Sequence, residues 1–340
     1  MKKSLIALAV LAASGAAMAQ SSVTMYGIAD VWVGYESRDT YANSTVTSTS
    51  DAVMKSGGVN GSRWGLKGSE DLGGGLKANF DFQAGFNLDD GSGTSTSATA
   101  FSRQSWVGLS GGFGATRIGR TTTPYDDVNG SSNAMFDSYL APFNRIASST
   151  TYNARPNNTL YYQAPDLSGF SGAASYSLAE SATADDTYSL NLTYAGGPFK
   201  AQLAYQLEGG DDTNNIAERT FTRIGGSWEM GAFTFKGSYG QVENAGGFKE
   251  RGADEWQLGL DFKTGPWVFT GSYAQSEIDS YYSGATLKAD ESRMGYGLAA
   301  AYALSKRTYV YGGYEADTSE QNGRPDLDHD VFAIGVNHKF

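Results

Sequence analysis

The chain has no cysteine, only two histidines and only seven prolines in 340 residues. Without cysteine there is no disulfide framework, no thiolate metal site and no cysteine nucleophile. The two histidines, His329 and His338, leave little for acid–base catalysis, and no group of residues has zinc-ligand spacing. Beyond residue 20 no apolar run reaches the roughly 20 residues that a helix needs to cross a bilayer. In contrast, the chain carries 44 glycines, 21 tyrosines and 13% aromatic residues, more than a disordered acidic chain would hold. That composition asks for ordered, glycine-rich β-structure.

Residues 1–19 read as a signal peptide. Lys2 and Lys3 form the positive start, Leu5 to Ala13 a short apolar core, and Ala17-Met18-Ala19 a small-residue cleavage site. The mature chain is expected to begin at Gln20, on the far side of the inner membrane. Without Lys2 and Lys3 the formal net charge moves from -11 to -13. Such acidity makes nucleic acid an unsuitable partner and fits the solubility of exposed loops.

Period-two alternation dominates the remainder, as in strands with two chemically different faces. From Leu76 to Leu88, Leu76, Ala78, Phe80, Phe82, Ala84, Phe86 and Leu88 alternate with polar residues or glycine. Phe199, Ala201, Leu203, Tyr205 and Leu207 do the same against Lys200, Gln202, Gln206 and Glu208, and Trp256, Leu258, Leu260 and Phe262 against Gln257, Gly259, Asp261 and Lys263. Short turns lie at Asp71–Gly75, Gly111–Gly114, Pro165–Gly169, Ala195–Pro198, Glu229–Ala232, Lys263–Pro266 and Leu304–Arg307. Longer polar links lie between them, for example Gly209–Glu218 and Ile278–Glu291. This asymmetry of tight turns and long loops is that of an outer-membrane barrel.

Seven hairpins, with a first strand at Ser22–Tyr35 and a last at His329–Phe340, give sixteen strands. The predicted fold is all-β: a 16-stranded antiparallel transmembrane β-barrel, closed because open edges in hydrocarbon are too costly. A barrel of this width encloses water. Aromatic pairs at strand ends, such as Tyr188 and Tyr194, Trp267 and Tyr273, and Phe233 and Tyr239, are candidates for the interfacial girdles.

At the C-terminus Phe332, Ile334, Val336, His338 and Phe340 alternate to a terminal phenylalanine. This looks like the signal by which the barrel assembly machinery recognises outer-membrane barrels. Together with Val23-Thr24-Met25-Tyr26-Gly27, the stretch Ser62 to Gly73 and the stretch Ser102 to Leu109, it resembles the Gram-negative general porin family across essentially the whole mature chain. The resemblance implies a homotrimer in the outer membrane, in contact with lipid and lipopolysaccharide, that passes ions and small hydrophilic solutes by diffusion and uses no cofactor.

One connection breaks the rhythm: Thr121 to Asn157 is 37 residues without sustained alternation, a length expected of a functional loop. It follows a fifth strand at Ala115–Arg120, where the family's third loop folds inward to narrow the pore. The acidic side of the constriction is assigned to Asp126, Asp127 and Asp137 on this loop. The resemblance places Arg63 and Arg103 in a basic ladder on the wall, with Arg120 and Arg155 as further members. Parity supports Arg63, which alternates with Trp64 and Leu66; for Arg103 parity is ambiguous, because Val107 and Leu109 share its side. Tyr161 stands where relatives often carry a basic residue on the sixth strand. Wall and loop charges are not separable in sequence, so the choice between cations and anions is left open, the overall charge giving only a weak lean towards cations.

Other signals carry less. Gly108-Leu109-Ser110-Gly111-Gly112 matches G-x-S-x-G but runs from strand into hairpin, not into a helix. Asp89-Asp90, Asp185-Asp186 and Asp211-Asp212 read as solvated loop tips more readily than as divalent-cation sites. Gly91 to Thr99 is low-complexity loop. A barrel enzyme lacks its base, and a structural barrel would be smaller, with a filled interior. The closer alternative to a diffusion pore is a substrate-specific outer-membrane channel.

Overall fold

The computed structural model describes residues 22–94, 99–283 and 286–340. The expected leader at 1–19 lies outside these residues. Sixteen antiparallel strands close a barrel, each hydrogen-bonded to its neighbours in sequence. The first strand, Ser22–Ala42, pairs with the last, Leu327–Lys339, from Ile28 opposite Lys339 to Arg38 opposite His329. Beyond that register Gly27 and Phe340 exchange two backbone hydrogen bonds of 3.0 and 3.1 Å. A Cβ on Gly27 would lie 2.2 Å from the Phe340 ring, so only glycine admits the terminal aromatic at the seam. All seven short connections are tight turns, as expected.

The second barrel strand is in two pieces, Thr45–Ser56 and Arg63–Gly73, both paired with the first strand. Alternation at Ser22–Tyr35 did not foretell this external hairpin, which carries the first strand on to Ala42. The break at residues 57–62 is held by Asp30, which is fully buried. Its carboxylate accepts from the N–H of Gly58 (2.9 Å) and Asn60 (3.0 Å), the Tyr311 hydroxyl (2.6 Å) and Asn337 Nδ2 (2.7 Å). A charge taken out of water is tolerable there because every contact is a donor.

Alternation sorts the side chains as expected. Val107, Ile118, Leu203, Leu258 and Leu298 point outwards and are exposed on the isolated chain, the last by 69%. Aromatic contacts form two bands on this outer face. On the short-turn side Phe199, Trp228 and Phe235 are in sequential contact, as are Phe233, Phe262 and Phe269, and Trp267 meets Tyr302; towards the long loops lie Trp256–Tyr273 and Tyr296–Tyr314. The alternation read from Leu76 to Leu88 outruns its strand, which ends at Gly85; Phe86 only bridges to Gly93. Among the described residues no helix is long and apolar enough to cross a membrane.

Candidate functional site in the barrel lumen

The segment between Arg120 and Thr159 lies inside the barrel, against the inner wall. It contains helix α1, Pro124–Ser132, and the short helix α2, Pro142–Ile146. Thr123 caps α1, its Oγ1 accepting from the Asp126 N–H at 3.3 Å, and Pro124 opens the first turn. Asp126 and Asp127 occupy that turn, where the N-terminal end of a helix favours acidic groups. Between the helices Met135, Phe136 and Asp137 all have positive φ, between 52° and 64°. Each such residue costs about 1–3 kcal/mol, so tertiary contacts must hold the turn.

Those contacts are numerous. Tyr125, Met135, Leu140, Phe143 and Ile146 are buried although they belong to a loop. Wall side chains meet its backbone: Ser189 Oγ accepts from the Tyr125 N–H (3.0 Å), Thr270 Oγ1 from the Met135 N–H (2.9 Å) and Glu255 from the Ser149 N–H (2.9 Å). Lys236 Nζ donates to the Asn133 carbonyl at 3.1 Å. Arg223, buried in the wall, lies over the rings of Tyr125 and Phe143 and donates to Ser149 Oγ at 2.8 Å.

The other end is tied by ion pairs. Arg145 Nε lies 2.8 Å from Asp317 and 3.2 Å from Glu315, and the Tyr139 hydroxyl donates to Glu36 at 2.8 Å. His329 stands between them, each ring nitrogen 3.1 Å from a carboxylate oxygen, of Glu36 and of Asp317. Glu315, Asp317 and His329 bring ligand-type atoms within 4.8 Å of one another, a grouping invisible in sequence spacing. Arg145 and the imidazole engage Asp317, and Glu315 lies 3.2 Å from Arg145 Nε and 3.6 Å from His329 Nδ1, so the group reads as an anchor for the loop. His338 is instead on the outer face, its Nδ1 2.9 Å from the Thr308 hydroxyl.

The four arginines singled out from sequence gather, Arg63, Arg103 and Arg120 from the wall and Arg155 from the returning end of the loop itself. Arg63 shares the inward face with Gly65 and Lys67, as its parity predicts. Arg103 precedes its strand, which starts at Gln104, so strand parity does not govern it. Its N–H and Nε reach the backbone and side-chain oxygens of inward-facing Gln83 at 3.0 and 2.7 Å. Arg120 is the last residue of its strand, after Gly119 with its φ of 131°, and donates to the Ser102 carbonyl and Asn157 Oδ1, both at 2.8 Å. Arg155 is central: its charge acts on Arg63, Arg103 and Arg120. Among the described residues it alone of the four is ion-paired, at 3.7 Å from Asp126.

The three acids do not form one row. Asp126 faces Arg155 and accepts from the Tyr152 hydroxyl at 2.7 Å. Asp127 accepts from Tyr161 (2.7 Å) and Thr122 (3.0 Å), and Asp137 from the amides of Asn133 (2.7 Å) and Asn144 (3.0 Å). Burial pushes the carboxyls of Asp126 and Asp137 above the ordinary aspartate range, against the pull of Arg155 on the first and of the two amides on the second.

Tyr161 replaces a basic residue only in sequence. Its cross-strand partner Arg117 lies over its ring at 4.4 Å and over Trp106 at 5.3 Å, and brings a cation to the same place. Arg117 was missed; its parity opposite Ile118 was the available signal. A cavity of about 410 Å³ lined by Lys67, Asp81, Trp106 and Arg117 adjoins it.

A profile of Gram-negative porins matches residues 5–322. The chain belongs to that family. The porin is 33% identical to outer membrane porin protein 32 of Delftia acidovorans, over 92% of this chain and 88% of that protein. It is 30% identical to an outer membrane porin protein of Bordetella pertussis over the full length of both. Its barrel matches the anion-selective porin from Comamonas acidovorans with a TM-score of 0.76 at 25% identity, covering 94% of this chain and 100% of that one. The porin is thus an outer-membrane channel protein, with the fold of a channel and not of an enzyme.

Proposed function

We propose that the porin passes ions and small hydrophilic solutes by diffusion through an opening between the 121–157 loop and the arginine wall, and that it prefers anions. The observation that carries this reading is the imbalance of charge: Arg63, Arg103, Arg120 and Arg155 act on a common space in which, among the described residues, Arg155 alone of the four is ion-paired. Asp127 and Asp137 are held by hydroxyl and amide donors and not by these arginines, and Asp126 offsets Arg155 alone. Arg63, Arg103 and Arg120 then carry no ion pair among the described residues, which supports a positive local field although the chain as a whole is acidic. Similarity to the anion-selective porin from Comamonas acidovorans supports the same sign. This replaces the cation lean of the net charge.

Residues 1–19 are proposed as a cleaved leader and 20–340 as the barrel. The outward row Phe332, Ile334, Val336, His338 and Phe340 is proposed as the signal for barrel assembly, with a homotrimer in lipid and lipopolysaccharide as the working form. The test is the reversal potential of the purified mature protein in a planar bilayer under a salt gradient. Anion preference, with conductance steps in threes, is expected; cation preference would overturn the assignment of the arginines.

A further inference from the structure

The wall beneath the loop lacks side chains at regular places. Gly225, Gly240, Gly259, Gly295, Gly297 and Gly313 all take inward positions in their strands, by register with Ser238, Glu255, Ser272, Ala274 and Ala299. Every one lies under the loop. A Cβ on Gly259 would be 2.2 Å from that of Ala134, on Gly295 2.8 Å from Pro142 Cβ, and on Gly225 2.8 Å from Ser132 Cβ. On Gly297 it would be 2.7 Å from Met135 Sδ and 3.0 Å from the Leu140 carbonyl; on Gly313 it would meet the wall first, 2.7 Å from Ala299 Cβ and 2.8 Å from the Leu298 carbonyl, and then Leu140 Cδ1 at 2.9 Å. Gly240 is looser, 3.3 Å from Ser149 Oγ. Nonbonded carbon contacts settle at about 3.5–4.0 Å, so a single methyl at the tightest positions has no room unless the loop lifts by about 1 Å.

None of these six has a positive φ, so their backbone conformation does not demand glycine. Space for the loop is the remaining requirement at five of them, where the nearest atom to a Cβ belongs to the loop; at Gly313 the neighbouring strand crowds the position as well. Met135 is fully buried and sits at the left-handed turn of the loop.

We propose that these glycines form a socket that sets how far the loop projects into the lumen, and that the Gly297–Met135 contact determines the size limit of the pore for uncharged solutes. This rests on the reading of the loop as the constriction. A methyl at Gly297 raises the floor under Met135, pushes the loop towards the arginines and narrows the opening. The charges stay the same, so the sign of ion preference does not change.

The experiment measures exclusion of graded polyethylene glycols from single channels of wild type, Gly297→Ala, Met135→Ala and the double variant, with folded barrels verified by heat-modifiable gel mobility. Gly297→Ala is expected to lower the largest admitted polymer, and Met135→Ala in the same chain to restore it. Gly259→Ala with Ala134→Gly provides an independent pair with the same expected pattern. A wild-type size limit in both Gly→Ala variants, or failure of both second-site changes to restore it, overturns the socket. A chain with residues 131–140 replaced by a short glycine linker separates the two readings: an unchanged limit there refutes the constriction itself. A widened limit there, beside indifferent Gly→Ala variants, refutes only the socket.

Discussion

Arg63→Gln isolates the charge of the wall from its architecture. Arg63 makes no ion pair among the described residues, and its strand stays paired on both sides through backbone bonds, so the substitution removes a charge and little else. A unit charge acts on an ion passing at about 5 Å in water with ~0.8 kcal/mol, which screening over about 8 Å in physiological salt reduces to ~0.45 kcal/mol. An anion loses that attraction and a cation is freed of the same repulsion. The anion-to-cation permeability ratio is then expected to fall about fivefold. At about 1 M salt, where the screening length is about 3 Å, the same arithmetic leaves less than a twofold change. Reversal potentials at the two salt concentrations read both numbers. No shift at low salt, or an equal shift at high salt, would refute a field made by wall charges near the ion path.

Burial favours the protonated form of Asp126, so on acidification it loses its charge before ordinary aspartates, which titrate near about 3.9. Arg155 is then left unpaired, and anion preference is expected to rise as pH falls from neutrality; Asp126→Asn should show the raised preference at neutral pH and flatten the dependence in reversal-potential titrations. Asp30→Ala strands four buried or half-buried donors, each bond to the charge being worth about 1.5–3 kcal/mol, and is expected to lower the temperature at which the barrel unfolds on detergent gels by many degrees. An unfolding temperature like that of the wild type would mean that the break at 57–62 is held by other contacts.

What could be read in the sequence was whatever depends on near neighbours. Period-two alternation gave the faces of the wall, including the inward Arg63, because a strand's side chains alternate whatever they pack against. Turn chemistry and loop length gave the strand number and the position of the inserted segment. Reading failed where a residue answers to distant partners. The break in the second strand is made by Asp30, Tyr311 and Asn337, which lie far apart in sequence. Arg103 escaped parity because it lies one residue outside its strand. Asp127 and Asp137 were grouped with Asp126 by type, yet their partners are a tyrosine of the wall and two asparagines of the loop. Of the socket glycines only Gly259 was read in the alternation, and nothing local distinguishes a socket from a gap.

The positive pore proposed for this acidic chain is no contradiction, because potential at the opening depends on where charges lie and not on their sum. Screening over about 8 Å removes most of the influence of exposed groups beyond that range. Asp211 and Asp212 belong to the link between Glu208 and Arg219, outside the strands, and Asp211 is turned into its own loop by Asn214 Nδ2 at 2.7 Å and the Thr213 N–H at 3.0 Å. Neutralising both as Asp211→Asn with Asp212→Asn changes the net charge by two, twice the change made by Arg63→Gln. Ion preference is nevertheless expected to stay at the wild-type value for the loop pair and to move about fivefold for the single arginine. If the loop pair shifts the reversal potential as far as Arg63→Gln does, selection is made by the charge of the whole mouth, and the arginine wall loses its special place.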